Sequence, residues 1–188
     1  MKKQLTLREK AIRAYNSMVA RCQSNKNYKD VSIHPVWKND KEAYITYYMT
    51  NNTKGWHLDK DLKVPHSNIY SPDTCMFVPP HINQVIRGKK SNSRGNATNA
   101  VVLPMGVSNY DNDKKPYQAH CKINDVQTHL GLFKTPEEAH RAWQYGKIDQ
   151  LQYLLMDDQL NPEIIKAIEN WIEVIICDIE NGSETIIR

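Results

Sequence analysis

The sequence predicts an α+β protein with two small domains and a helical tail, and three features support this prediction. Residues 117–123 alternate apolar and polar side chains, which is typical of a strand with one buried face. Residues 87–99 are polar, basic and contain glycine, as linkers often do. From Pro162 onwards, isoleucines recur every three or four residues, which is a helical period. We therefore expect a first domain at 1–90, a linker at 91–99, a second domain at 100–150 and a tail at 151–188.

The first predicted element is an amphipathic helix over residues 5–22. Thr6 is a good N-cap, and Glu9 follows three residues later, which is the spacing of a capping box. One face of this helix is apolar and is expected to join the core: Ile12, Tyr15, Met18, Val19 and Cys22. Residues 43–50 have the composition of a strand but no decisive period, so a strand and a helix both remain open there.

The second domain is predicted to contain a hairpin followed by a helix. Asn124-Asp125 would join the strand at Tyr117–Ile123 to a second strand at Val126–Leu132. The segment Thr135-Pro136-Glu137-Glu138 then offers an N-cap, a proline at the first helical position and a glutamate at the third. We expect a helix of about 12–15 residues after this cap. Its buried side would consist of Ala139, Ala142, Trp143 and either Tyr145 or Gly146.

The charge is distributed unevenly along the chain. Residues 1–150 contain 23 lysines and arginines against 13 acidic residues, whereas residues 151–188 contain 2 against 8. The local net charges are therefore +10 and −6. A basic body is suited to a polyanion such as DNA, because each neutralised phosphate releases counterions. A solvated basic surface is the simpler alternative.

The apolar stripe of the tail has to be covered, and the sequence leaves open by what. The tail could fold back on the chain, or it could form a homodimer seam. A third alternative is that the acidic, isoleucine-rich tail binds another protein. The residues expected at a dimer seam are Ile164, Ile168, Trp171, Ile172, Ile175 and Ile179.

The remaining composition indicates a soluble protein of the cytoplasm. Cys22, Cys75, Cys121 and Cys177 form no Cys-x-x-Cys pair, so we expect reduced thiols and no structural zinc. No apolar segment follows the N-terminal Met-Lys-Lys-Gln as in a signal peptide, and no run reaches the roughly 18 apolar residues of a membrane span.

The most specific pattern lies at residues 55–83. It begins with Gly-Trp-His-Leu-Asp-Lys-Asp-Leu, continues with Asn-Ile-Tyr-Ser-Pro-Asp-Thr-Cys-Met-Phe-Val-Pro and ends with His-Ile-Asn. This pattern resembles the HNH homing endonucleases of phages, and the broader resemblance covers residues 5–90. It implies a small ββα-metal domain that binds Mg²⁺ or another divalent cation. By position, Asp59 and Asn83 would be the metal ligands, and Thr74 or Asn68 would tie the loop to the strand.

Lys60 stands where the family has its general-base histidine. A lysine is ordinarily protonated at neutral pH, so it cannot take a proton from water without a large perturbation, and the two flanking aspartates favour the charged form. His57 is the main candidate for a substitute base, with His66 and His81 as alternatives. Lys60 could instead bind phosphate at a site that no longer turns over. The leading prediction is therefore metal-dependent cleavage of double-stranded DNA, and the alternative is a catalytically lapsed DNA-binding regulator or competitor.

A second resemblance covers residues 100–150. Gly106-Val107, the strand at 117–123, Leu130-Gly131 with Phe133, and the helix start at 135–139 look like the AP2 DNA-binding domain. The resemblance implies a three-stranded antiparallel sheet, packed on one helix, that lies in the major groove of DNA. The usual arginines of its strands are missing, which weakens the expectation of strong sequence specificity. The expected DNA-binding residues are Lys89 and Lys90 just before the linker, Arg94 within it, Lys114 and Lys115 in a turn, and Gln118, His120, Lys122, Gln127 and His129 on the sheet.

Overall fold

The computed structural model describes residues 4–25, 28–86, 103–123 and 126–187. It shows a mixed α+β chain that divides into two compact units, Met1–Asn83 and Gln84–Arg188. The predicted linker at 91–99, with Lys89, Lys90 and Arg94 in and beside it, lies outside the described residues, and so does the predicted turn at Asn124-Asp125.

The first unit is mostly helical and contains two short pairs of strands. Strand β1 pairs with β3 in parallel, and β2 pairs with β4 antiparallel in the register His57↔Val78 and Asp59↔Met76. The elements in order are α1 (Leu7–Ser24), β1 (Ser32–Ile33), α2 (Pro35–Asn39), α3 (Lys41–Asn51), β2 (His57–Asp59), β3 (Ile69–Tyr70) and β4 (Met76–Val78), and helix α4 (Pro80–Ile86) follows β4 directly.

Helix α1 starts as its sequence predicts. Thr6 and Glu9 form the complete capping box, with the Glu9 backbone N–H donating to Thr6 Oγ1 at 3.2 Å and the Thr6 backbone N–H donating to Glu9 Oε2 at 2.8 Å. Met18 is buried in the main core of this unit. The core residues are Met18, Trp37, Tyr44, Tyr70 and Cys75.

The segment that the sequence left open, residues 43–50, is helical and belongs to α3. Asp40 caps this helix, because its Oδ1 accepts the backbone N–H groups of Glu42 and Ala43 at 2.9 and 3.1 Å. Tyr44 meets Trp37 edge-on with ring centroids 5.0 Å apart. Aromatic side chains therefore serve here as the packing surface of a helix, and their β propensity is overridden by tertiary contacts.

The second unit contains a three-stranded antiparallel sheet and two long helices. The strands are β5 (Val107–Asn109), β6 (Tyr117–Ile123) and β7 (Val126–Phe133), in the order β5-β6-β7. The helices are α5 (Pro136–Leu154) and α6 (Pro162–Glu180). The ladder between β6 and β7 has an irregularity at Ala119/His120, which leaves Leu130 without a direct partner.

Helix α5 packs on one face of this sheet. The predicted capping box of Thr135 and Glu138 is present, but α5 has 19 residues, longer than the predicted 12–15. The predicted helix was too short, because the buried residues of α5 continue as far as Leu151. Of the two residues left open, Gly146 is buried and Tyr145 is 55% exposed.

Two glycines allow the helix and the sheet to approach closely. Gly106 has φ +78°, and a Cβ there would lie 2.0 Å from the indole of Trp143. A Cβ at Gly146 would lie 2.9 Å from Leu130 and 3.3 Å from Cys121. The contact at Gly146 places Cys121 and Leu130 on the face of the sheet that is covered by α5.

The apolar stripe of α6 is largely covered within the second unit. The side chains at the centre of the stripe are at most 1% exposed: Ile164, Ile168, Trp171 and Ile175. For these residues, the tail folds back on the chain. Ile172 and Ile179 are partly buried and Ile176 is 41% exposed, so a homodimer remains a prediction that would have to use this smaller remaining surface.

None of the four cysteines is paired in a disulfide. Among the described residues, no helix is long and apolar enough to cross a membrane.

Candidate functional site

The two paired strands β2 and β4 and the helix α4, which together we call the ββα segment, bring two of the predicted site residues together. His57 opens β2, and Asn83 lies in α4, which starts two residues after β4 ends. The side-chain amide of Asn83 donates from Nδ2 to Nδ1 of His57 at 3.3 Å. Asn83 is 4% exposed, whereas the His57 side chain is exposed. The pair thus joins the start of the hairpin to the helix that follows it.

Asp59 supports the turn that follows β2. Its Oδ1 accepts the backbone N–H groups of Asp61 and Leu62 at 2.8 and 2.7 Å, and the residue is only 7% exposed. Two charge-assisted hydrogen bonds to one oxygen stabilise the turn, and the bond from Leu62 is shielded from water. Leu62, fixed by this turn, is fully buried.

Lys60 is buried and bound to oxygen acceptors. It is 5% exposed, its ammonium forms an ion pair with Asp61, and it also donates to the backbone carbonyl of Ser67 at 3.4 Å. A buried cation needs such partners, since an unpaired one would carry a large desolvation penalty. The ammonium of Lys60 thus connects the turn after β2 with the loop that leads to β3.

The loop before β4 is tied by hydroxyl groups. Thr74 donates from Oγ1 to the carbonyl of Ile69 at 2.6 Å, and the backbone N–H of Ser71 donates to Thr74 Oγ1 at 3.1 Å. Of the two residues that the sequence offered for this role, Thr74 makes the connection through its side chain, whereas the backbone carbonyl of Asn68 accepts from Ser32 at 2.8 Å.

The other potentially reactive groups near this segment are one buried thiol and two exposed imidazoles. Burial raises the pKa of the Cys75 thiol to about 12, so this cysteine is not a thiolate nucleophile at neutral pH. His66 and His81 are exposed, His66 in a left-handed turn with φ +63° and His81 on α4.

The two residues that the sequence predicts as metal ligands, Asp59 and Asn83, already make hydrogen bonds within the first unit. Nowhere in the described ranges do three or more His, Cys, Asp or Glu side chains form a group that could hold a metal ion. In addition, Oδ1 of Asp59 already accepts two backbone amides, and Nδ1 of His57 already accepts from Asn83. Because the side chains that bind a metal are commonly hydrogen-bonded themselves, these contacts leave the metal site at Asp59 and Asn83 a prediction.

The second unit presents a polar face on its sheet. In the ladder, His120 is opposite His129 and Lys122 is opposite Gln127, with the two imidazole centroids 5.1 Å apart. Directly opposed residues point to the same side of a sheet, and alternation puts these four on the side away from α5. Gln118 lies on the same side and donates from Nε2 to the carbonyl of Asn109 at 3.3 Å. The five side chains predicted to face DNA therefore share one face.

Exposure differs along this face. Lys122, Gln127 and His129 are exposed, whereas Gln118 and His120 are half-buried. Burial lowers the pKa of His120, and the neighbouring His129 lowers it further. His120 is therefore neutral at physiological pH and can offer one donor and one acceptor.

The turn before β6 holds two lysines beside this sheet. The backbone N–H groups of Lys114 and Lys115 donate to Oδ1 of Asn112 at 3.0 and 2.9 Å, and the N–H of Tyr110 donates to the carbonyl of Pro116 at 2.8 Å. Both lysine side chains are exposed. The turn thus has a defined backbone, and the two ammonium groups extend from it into solvent.

A groove in the second unit was missed by the sequence analysis. It has a volume of about 610 Å³ and is lined by residues of β7, α5 and the turn before β6, including Lys115, Lys134, Arg141 and Tyr145. These residues are distant in sequence. The spacing of Glu138, Arg141 and Tyr145 along one side of α5 is the only sequence signal that could have indicated it.

Comparison with known proteins adds no relative: no protein family, curated protein or solved structure matches this chain.

Proposed function

We propose that this chain binds double-stranded DNA through the face of the β6–β7 ladder that carries Gln118, His120, Lys122, Gln127 and His129. The observation that supports the proposal most is that five polar side chains with base-reading chemistry share one face, while α5 covers the other. The major groove admits a two-stranded ribbon. Glutamine can make two hydrogen bonds to adenine, and lysine can donate to the acceptors of guanine.

Phosphate contacts would come from the lysines beside the sheet. Lys114 and Lys115 extend from an ordered turn next to β6. The net charge of +10 over residues 1–150 would add attraction without sequence preference. The strands β6 and β7 contain no arginine. We therefore expect only a modest preference for particular DNA sequences, since Arg–guanine pairs are the commonest specific contacts.

The geometry of the ββα segment supports a structural role for its polar residues more than a catalytic one. Asp59 holds a turn and Lys60 is buried in an ion pair with Asp61. The nitrogen of Lys60 is engaged by Asp61 and the Ser67 carbonyl, which supports a structural role for it. The proposed function is therefore that of a DNA-binding protein on a nuclease-like scaffold, as a regulator or competitor at DNA sites.

A salt series of gel shifts tests the proposal. We expect Lys122→Ala to weaken duplex binding by about tenfold and to reduce the salt slope by about one. Lys166→Ala, which removes one exposed lysine from α6 in the same unit, is the matched control and should change neither quantity. Equal behaviour of the two variants, or no duplex binding by the wild type, would refute the proposal.

Metal-dependent cleavage is the second candidate, and the contact between His57 and Asn83 at 3.3 Å is the observation that favours it. Supercoiled DNA would be incubated with Mg²⁺, Mn²⁺ or EDTA, and nicking would be scored together with the gel shift. Nicking by the wild type that His57→Ala abolishes, with unchanged DNA affinity, would establish cleavage. A salt-sensitive shift without nicking is the result expected for the proposed DNA-binding protein.

A further inference from the structure

The groove beside the end of β7 combines positive charge with an apolar and aromatic lining. The cations are Lys115, Lys134 and Arg141, and the remaining lining includes Phe133 and Tyr145. Tyr145 is 55% exposed although it is a large side chain on a helix. A ligand that matches both features must carry negative charge next to a flat apolar group.

Two of the charged groups in the groove are held by hydrogen bonds. Arg141 donates from Nη1 to the backbone carbonyl of Ile179, which fixes the guanidinium. The carboxylate of Glu138 accepts the backbone N–H groups of Lys134 and Thr135 at 3.1 and 3.4 Å. Because that carboxylate faces the amides at the start of α5, it offsets the three cations only in part.

The groove lies between α5 and the end of β7, beside the sheet whose other face we assign to DNA. Lys115 lines the groove and belongs to the turn before β6, and Leu132 lines it and is opposite Gln118 in the ladder. An unpaired nucleotide at the end of a duplex on the sheet would have to pass Lys115 to enter the groove. An acidic peptide would also match the charge, but it would not explain why Lys115 lies both beside the sheet and in the groove.

We propose that the groove binds an unpaired nucleotide of a DNA strand, with its base against Tyr145 and its phosphate near Lys115 and Lys134. This inference rests on the proposed duplex binding by the same unit. The apolar lining and the cations then serve the two halves of one ligand, as in other single-strand sites that combine aromatic platforms with basic side chains. The volume of about 610 Å³ is within the range of small-ligand sites.

The test compares a blunt duplex with the same duplex carrying a short oligothymidine overhang, by fluorescence anisotropy. We expect the overhang to increase the affinity of the wild type about tenfold, since stacking of one base on an aromatic side chain has effects of this order. Tyr145→Ala should remove this gain and leave the blunt-duplex affinity unchanged. Tyr153→Ala is the matched control, because Tyr153 is 51% exposed on the same helix and does not line the groove.

The outcomes separate this inference from the proposed function. Blunt-duplex binding that depends on Lys122, without any gain from the overhang, overturns the groove assignment and leaves the duplex face standing. Loss of all duplex binding overturns both. An acidic peptide that binds the wild type but not Tyr145→Ala, in the absence of an overhang gain, would identify the groove as a protein-binding site and overturn the nucleotide assignment.

Discussion

The polar side chains after β2 and those along β6 and β7 are chemically similar, but they differ in what surrounds them. Asp59, Lys60 and Asn83 are all at most 7% exposed and hydrogen-bond to neighbouring parts of the first unit. Gln127 and His129, on the sheet of the second unit, are exposed. A polar residue that forms its hydrogen bonds within the protein contributes to the fold, whereas a polar residue that faces solvent can bind a partner. This difference is the reason for proposing a structural role for the first set and a binding role for the second.

The largest change in stability is expected from Gly106→Ala, which should destabilise the unit that carries the exposed polar face. The new Cβ would lie 2.0 Å from Trp143 at a φ of +78°. We expect a loss of at least about 3 kcal/mol in the free energy of unfolding, measured by urea denaturation, because a steric clash adds to the backbone cost.

Gly182→Ala is the control for the backbone term. Gly182 has φ +67°, and a Cβ there would meet nothing within 4 Å. We expect it to cost about 1 kcal/mol, the backbone cost alone. If the two alanine variants were equally stable, the close approach of Trp143 would not be what fixes the sheet on α5.

The second prediction tests the structural role of Asp59. Asp59→Ala should lower the free energy of unfolding of the first unit by about 2–3 kcal/mol, because it leaves the buried amide of Leu62 and the partly buried amide of Asp61 without an acceptor. Hydrogen exchange at the amides of Asp61 and Leu62 measures the loss directly, and duplex binding by the second unit should be unchanged.

Asp59→Asn separates the hydrogen bond from the charge. Its amide oxygen can still accept the same two N–H groups, so we expect it to retain more than half of the lost stability. If Asp59→Asn were as harmful as Asp59→Ala, the negative charge itself would matter, as it does in a cation site, and the assignment of Asp59 to structure would be wrong.

Local sequence signals predicted much of the fold. The capping boxes at Thr6 and Thr135 depend on residues three apart, and both are present. Helix α3 could not be distinguished from a strand because Tyr44 and Ile45 are adjacent and both buried, which hides the helical period. The period of a helix appears in its sequence only when one side is exposed to solvent.

The candidate sites depended on contacts between distant residues. The sequence placed His57 and Asn83 in one site by resemblance, and they do meet at 3.3 Å. It gave no sign that Lys60 is buried, because one of its acceptors, the Ser67 carbonyl, lies in a loop whose path depends on the whole unit. The groove around Lys134 and Tyr145 was missed for the same reason.

The smallest expected effect concerns His140, which gives the second unit a buried polar site of its own. His140 is 4% exposed; its Nδ1 lies 2.8 Å from the carbonyl of Met105, and its Nε2 accepts the backbone N–H of Thr185 at 3.0 Å. Met105 therefore requires a proton on Nδ1, and Thr185 requires a bare Nε2. This arrangement selects the neutral ring and fixes the segment that follows α6.

Burial lowers the pKa of His140 below its usual 6.5, although the Met105 carbonyl opposes this shift. Because the folded pKa is the lower one, the contribution of His140 to stability is complete above about pH 6.5 and is lost as the pH falls through the folded value. Urea midpoints of the wild type should therefore decrease more steeply between pH 7.5 and 5 than those of His140→Gln. His120 also has a lowered pKa, and since it is present in both proteins its effect cancels in the difference. If the two pH profiles were parallel, protonation of His140 would not lower the free energy of unfolding. His140 would then not be a buried group whose hydrogen bonds stabilise the fold.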